Sequence, residues 1–230
     1  MISQVIDQMY DFYCRPSVTS EGLRSRYELW EKGEALDDSV TPSTYCPEYR
    51  MHMVLKIDSL SKQQGHVFSL GCGNAFVEAD LVARGLQVEA IDCHVEAVKL
   101  ASAKGVKAFI KDYYELASGN LAKFNTIYAD GFLGHMYEPA RGLDRFFETL
   151  LSLKPAPGTL LVFSNDAPLQ SSSSVAPNKQ VNGFWLLSRE YITESLERFG
   201  FDMWENYHFP YERPLSGLRN RTICIARVRD

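Results

Sequence analysis

From Gly65 to Ser164 the sequence alternates short apolar runs with longer stretches of helical period, a pattern that few architectures accept. His66–Leu70, Leu86–Ile91, Val106–Ile110, Phe124–Ala129 and Thr159–Ser164 have the length and composition of buried strands. Phe76–Arg84, His94–Ala103 and Leu143–Leu151 carry helical spacing between them, with Gly85, Gly105 and Pro155–Gly158 as stops. Strands separated by helices require βαβ crossovers, which build a mostly parallel sheet covered on both faces. Asn165–Asn182 has no period, includes four serines (171–174), and reads as a long loop. Ser188 is placed to cap a helix running to Phe199, with Gly200 at its end. Phe201–Phe209 and Arg221–Val228 finish the chain, and the gap between them is too short for a helical crossover, so they pair antiparallel. The expected fold is α/β: a doubly wound, mostly parallel seven-stranded sheet ending in an antiparallel hairpin.

The leader, residues 1–64, differs from the body, residues 65–230. It is rich in aromatic and charged residues, weak in strand signals, and reads as an N-terminal helical cap. Leu23, Tyr27 and Trp30 predict a helix from about Glu21 to Lys32, and Pro47 opens a second one to about Leu60. Lys+Arg 24 against Asp+Glu 29 gives a net charge of −5, which argues against a nucleic-acid partner. The longest aliphatic run, Thr159–Phe163, is far short of the roughly 18 residues a membrane span needs. The first thirty residues hold Asp7 and Asp11 and no signal-peptide core. Five scattered cysteines without a C-x-x-C pair read as reduced thiols, so the expected location is the cytoplasm and no metal site is expected.

Val67–Ala75 carries the chemistry. Gly71 and Gly73 follow a strand directly and precede a helix, where bare backbone turns sharply and lets a ligand approach. Asp92 stands 21 residues after Gly71 at the end of the next strand, where a carboxylate accepts hydrogen bonds from both ribose hydroxyls. Asp112 follows the third strand and Asp130 the fourth, on the sheet edge where open α/β sheets bind ligands. Each Asp alone would serve equally as a helix cap; the series together with the glycine turn points to a ribonucleoside cofactor. Phe76 occupies the place of the third glycine that a dinucleotide fingerprint needs, and no P-loop run exists.

Val67–Ala75, Glu89–Asp92, Lys111–Asp112, Tyr128–Asp130 and the terminal hairpin resemble the class I S-adenosylmethionine-dependent methyltransferases over residues 65–230. The resemblance implies S-adenosyl-L-methionine as cofactor. It places Gly71, Cys72 and Gly73 at the methionine part, Asp92 and Cys93 at the ribose, Asp112 and Tyr113 at the adenine, and Asp130 and Gly131 near the amino group or sulfonium. The family's usual acid two residues before the first glycine is Ser69 here, so another group such as Asp130 must supply that charge; its third close glycine is Ala75, which is nearly isosteric.

Methyl transfer is an in-line displacement, so the enzyme chiefly aligns the acceptor and, where needed, removes a proton. His135, after the fourth strand, is the candidate general base or acceptor-orienting group, with Tyr137 and Glu138 as second choices. Tyr13, Arg24, Tyr27 and Trp30 offer aromatic faces and a guanidinium for an acceptor; Arg50 is placed to reach the cofactor carboxylate, and Phe184 and Trp185 to wall the pocket. The expected activity is methyl transfer to a nitrogen or oxygen of a natural-product or amino-acid-like small molecule, by a monomer or homodimer. A protein or tRNA methyltransferase, or a non-catalytic cofactor-binding module, is the alternative. The adjacent prolines of nucleobase amine methylation are absent from Asp130–Leu133, and Asp130 with Asn165–Asp166 satisfies no metal-ligand spacing.

Overall fold

The computed structural model describes residues 2–19, 22–34, 38, 41–61, 65–170 and 172–229. The leader begins with α1 (Ile2–Tyr13), then pairs β1 (Ser17–Thr19) antiparallel with β2 (Gly22–Arg24). The expected helix from Glu21 is thus shorter. Ser25 forms a reciprocal capping box with Glu28 and starts α2 (Arg26–Glu31), which leaves the preceding residues extended. The leader is therefore not free of strands. A short α3 (Pro42–Tyr45) precedes α4 (Pro47–Ser61), the helix that Pro47 predicts.

The body opens with β3 (His66–Leu70), α5 (Phe76–Ala83), β4 (Gln87–Asp92), α6 (Val95–Ala103) and β5 (Lys107–Ile110). A 3₁₀ turn at Tyr113–Glu115 leads to β6 (Thr126–Asp130), α7 (Leu133–Met136), α8 (Asp144–Ser152) and β7 (Leu160–Asp166). The interval expected as loop holds β8 (Val175–Pro177), which pairs with β9 (Trp185–Leu187); three-residue strands are too short to show a period. Then come α9 (Arg189–Arg198), β10 (Asp202–Arg213) and β11 (Gly217–Arg227). The final hairpin is longer than its apolar pattern, because ladder hydrogen bonding continues through polar residues out to Arg213 and Gly217.

The sheet has seven strands in the order β5-β4-β3-β6-β7-β11-β10. The β5-to-β7 portion is parallel; β11 runs antiparallel to both β7 and β10, so β10 points the same way as the parallel portion. Alternate residues feed two cores: Val67, Tyr128, Val162 and Ile223 join one with α4 and α5, while Phe68, Ile127, Phe163 and Cys224 join the other with α8 and α9. The chain passes from β3 to β4 on one side and later returns to β6 on the other. That reversal leaves a crevice beyond the carboxyl ends of β3 and β6, where such sheets hold ligands. A third apolar cluster, with Tyr13, Tyr27, Trp30 and Phe184, covers this crevice. Among the described residues no helix is long and apolar enough to cross a membrane. All five cysteines are free.

Candidate active site

A cavity of about 940 Å³ lies over the carboxyl ends of β3, β4, β6 and β7. Its lining includes Gly71, Gly73, Asp92, Cys93, Asp112, Tyr113, Asp130 and Gly131. Cys72 instead borders a smaller cavity beneath the turn.

The glycine turn is built from positive φ: Gly71 at +66°, Gly73 at +51° and Ala75 at +56°. A Cβ on Gly71 would come within 2.5 Å of the Phe132 ring, so the turn both needs the conformation and lacks space for a side chain. Ala75 accepts the left-handed conformation at a cost of roughly 1–2 kcal/mol. Phe76 then starts α5 with its ring between the Arg50 and Lys104 cations, each 4.9 Å away. Arg50 forms a two-pronged ion pair with Asp80 on α5 and does not line the main cavity.

Asp92 locks the turn. Its Oδ2 accepts from the Gly73 N–H at 2.9 Å and its Oδ1 from the His94 N–H at 2.9 Å. Each carboxylate oxygen can accept a second hydrogen bond, which leaves capacity for a diol. Burial pushes the Asp92 pKa up, opposed by His94 and the backbone donors. Asp92, Cys93 and His94 bring one metal-ligand-type atom each within 4.8 Å of one another. Asp112 caps the 3₁₀ turn through the Tyr114 N–H. Tyr113 stacks on Phe146 and donates its hydroxyl to the Phe146 carbonyl, so only its ring is left to the cavity.

Asp130 belongs to a buried ion network that sequence reasoning missed. Arg221, 2% exposed, donates to Asp130 Oδ1, to Asp166 Oδ1 at 2.8 Å and to Ser164 Oγ at 3.0 Å. Arg213 holds Asp166 Oδ2, and its Nε donates to the Tyr211 hydroxyl. Burial would raise the Asp166 pKa, but Arg221 and Arg213 overcome it and hold the carboxyl well below its usual range. Tyr49 donates to Asp130 Oδ1 at 3.0 Å, while Asp130 Oδ2 is buried without a partner. Asp130 and Asp166 are thus held by guanidinium groups, a donor set unlike a metal cage. No local motif marks either arginine: Arg213 sits in the gap left between the expected hairpin strands, and Arg221 opens the second of them.

The lid is aromatic. Tyr13 lies 5.7 Å from Tyr27 in a stacked pair, and Trp30 meets both rings edge-on. The Tyr13 hydroxyl is 3.2 Å from His135 Nε2, and the Tyr27 hydroxyl 3.2 Å from His94 Nδ1. Phe184 packs 4.9 Å from the His135 ring, and Trp185 lies 4.8 Å from Tyr137. Tyr13, Tyr27, Trp30, His135, Tyr137, Glu138, Phe184 and Trp185 all line the cavity; Arg24, on β2, lines neither cavity. Burial, and then the His94 charge, push the His135 pKa down to about 4. Its burial thus holds the ring uncharged near neutral pH.

No family model matches the chain. It is 47% identical over 225 residues to the tabtoxin biosynthesis enzyme of Pseudomonas amygdali pv. tabaci, covering 98% of this chain and 89% of that protein. Among solved structures it is similar to the [4+2]-cyclase SpnF, with a TM-score of 0.69, 18% identity, and 99% and 97% of the two chains covered. Burkholderia thailandensis 1,6-didemethyltoxoflavin-N1-methyltransferase, solved with S-adenosylhomocysteine, gives 0.64 at 19% identity over 79% and 78%. Magnesium protoporphyrin IX methyltransferase from Synechocystis PCC 6803, solved with bound SAM, gives 0.63 at 15% identity over 98% and 96%. Glycine turn, acid-tipped strands and sheet order agree with the fold of these structures, and the 47% identity shows that the chain belongs to the family of the tabtoxin biosynthesis enzyme.

Proposed function

We propose that the chain transfers a methyl group from S-adenosylmethionine to a nitrogen or oxygen of a small molecule. The observation that carries this reading is the single cavity joining the glycine turn, Asp92 and Asp112 to an aromatic-roofed space at His135. Small-ligand pockets run to about 300–1,000 Å³, and 940 Å³ sits at the top of that range, with room for a nucleoside and a second molecule. Kinship with a biosynthetic enzyme agrees with a small-molecule acceptor.

The residues fit the cofactor: Asp92 has free lone pairs for the ribose, the turn presents bare backbone, and Asp130 Oδ2 is an unpartnered acceptor. Bound there, the sulfonium would supply an activated methyl. Asp92 holds the sugar, Asp112 and the Tyr113 ring flank the base, and Gly71, Gly73 and Gly131 give backbone access. The leader, residues 1–64, acts as a lid over the body, residues 65–230, with Tyr13, Tyr27 and Trp30 excluding water. His135 orients the acceptor, its ring held in the cavity wall between the Tyr13 hydroxyl at Nε2 and the Gly183 backbone.

The test uses S-adenosylmethionine labelled at the methyl and an extract divided into small-molecule, protein and RNA fractions. Label in the small-molecule fraction is expected. Label confined to protein or RNA, or none with cofactor bound, would overturn the reading in favour of a macromolecular acceptor or a non-catalytic module.

A further inference from the structure

The leader helix α2 docks on the two body segments that Asp92 ties together. On the cavity side, the Asp92 carboxylate spans from the Gly73 N–H of the glycine turn to the His94 N–H at the start of α6, each at 2.9 Å. On the lid side, α2 spans the same two segments. The Tyr27 carbonyl and Glu31 Oε1 both accept from Nδ2 of Asn74, the residue after Gly73, at 3.2 and 2.5 Å. The Tyr27 hydroxyl lies 3.2 Å from Nδ1 of His94. Glu31 also pairs with Lys104, at the far end of α6, at 2.6 Å.

Tyr27, Asn74 and His94 are all buried, so parting them would strand polar groups away from water. Burial pushes the His94 pKa down, opposed by Asp92 and Glu96, and the uncharged ring can accept from the Tyr27 hydroxyl at Nδ1. The capping box of Ser25 and Glu28 fixes where α2 begins. Tyr27 and Glu31, four residues apart, therefore share one face of the helix and reach the body together. Neither Glu31 nor Lys104 lines the large cavity or the small one. Any effect of these two on a bound nucleoside must pass through the segments that α2 holds.

We infer that Glu31, with Asn74 and Lys104, is a positioning group for the nucleoside site. Through these contacts α2 ties the glycine turn to α6 from outside, and so holds the Gly73 and His94 N–H groups at the spacing that aims the Asp92 carboxylate at the sugar. This rests on the cofactor reading above, and it gives the leader a role beyond covering the cavity: Glu31 acts on the ligand without touching it. Such coupling is reciprocal, so a nucleoside that engages Asp92 must in turn hold α2 in place.

Calorimetry with S-adenosylhomocysteine on the full chain tests it through a double-mutant cycle. Glu31→Ala is expected to weaken binding by about 5–30-fold. Glu31→Gln, which keeps an oxygen for Asn74, should recover part of that loss. In an Asp92→Ala background the same Glu31→Ala change should alter affinity by less than about twofold, because the carboxylate it positions is gone. In the wild type, saturating S-adenosylhomocysteine should slow amide hydrogen exchange in α2, and Glu31→Ala should remove that protection. Equal losses with and without Asp92, or a lowered melting temperature with affinity unchanged, would make Glu31 a structural contact only; either overturns the inference while the cofactor reading stands. A folded wild-type chain that binds no S-adenosylhomocysteine overturns the cofactor reading and the inference with it.

Discussion

The two sides of the cavity are built differently. On the rim from β3 to the turn after β5, the contacts that shape the site are short in sequence: Gly73 to Asp92 spans 19 residues, and Asp92 to His94 and Asp112 to Tyr114 span two. On the opposite wall, Tyr13 meets His135 across 122 residues, Arg221 meets Asp130 across 91, and Arg213 meets the Asp38 carbonyl across 175. The first side is made by a turn and the caps next to it. The second exists only once the leader and the terminal hairpin have docked. Local chemistry shapes the first side; tertiary packing shapes the second.

Variants on the two sides should separate along this line. The largest effect is expected for Arg221→Met, which leaves Asp130 and Asp166 charged and buried with their shared partner removed. Breaking a buried pair from one side costs about 3–5 kcal/mol, measurable by urea denaturation. Asp92→Ala should act mainly on binding, weakening S-adenosylhomocysteine by about 2–3 kcal/mol, or roughly 30–150-fold, by calorimetry. Stability that fell by as much as for Arg221→Met would erase the contrast between the two sides.

His135→Gln should lower kcat by about tenfold while leaving cofactor affinity within a factor of two, as expected of a residue that orients the acceptor. The same variant has a pH signature. The folded pKa of His135, about 4, lies below the unfolded value near 6.5, so the unfolded chain binds more protons between them. The contribution of His135 to stability is therefore present above pH 6.5 and lost as pH falls towards 4, and His135→Gln should flatten that part of the stability profile. A profile unchanged by the substitution would place the histidine in a solvated setting. The smallest effect is expected for Arg24→Ala. It lies outside both cavities, and cofactor and acceptor affinity should be unchanged within about 0.5 kcal/mol.

The same division explains what could be read in advance. The strand at His66–Leu70, the helix from Pro47 and the Ser188 cap were legible because apolar runs, prolines and capping residues act on their immediate neighbours. So was the gathering of Gly71, Gly73, Asp92, Asp112 and Asp130 at one cavity, since strand ends in a parallel sheet share an edge. The roles of Arg213 and Arg221 were invisible because no local motif says which acids a strand arginine meets; both reach Asp166, and Arg221 also Asp130, only once β11 has paired with β7 and β10. A guanidinium has many possible partners, which the sequence leaves open: Arg24 lines neither cavity, and helix packing gives Arg50 to Asp80.

The central claim is that a nucleoside lies across the carboxyl rim with its sugar on Asp92. A crystal structure grown with S-adenosylhomocysteine tests it most directly. Both ribose hydroxyls should donate to the Asp92 carboxylate, with the thioether sulfur between the glycine turn and His135. A nucleoside bound elsewhere, or an Asp92 carboxylate that touches no sugar hydroxyl, would contradict the account.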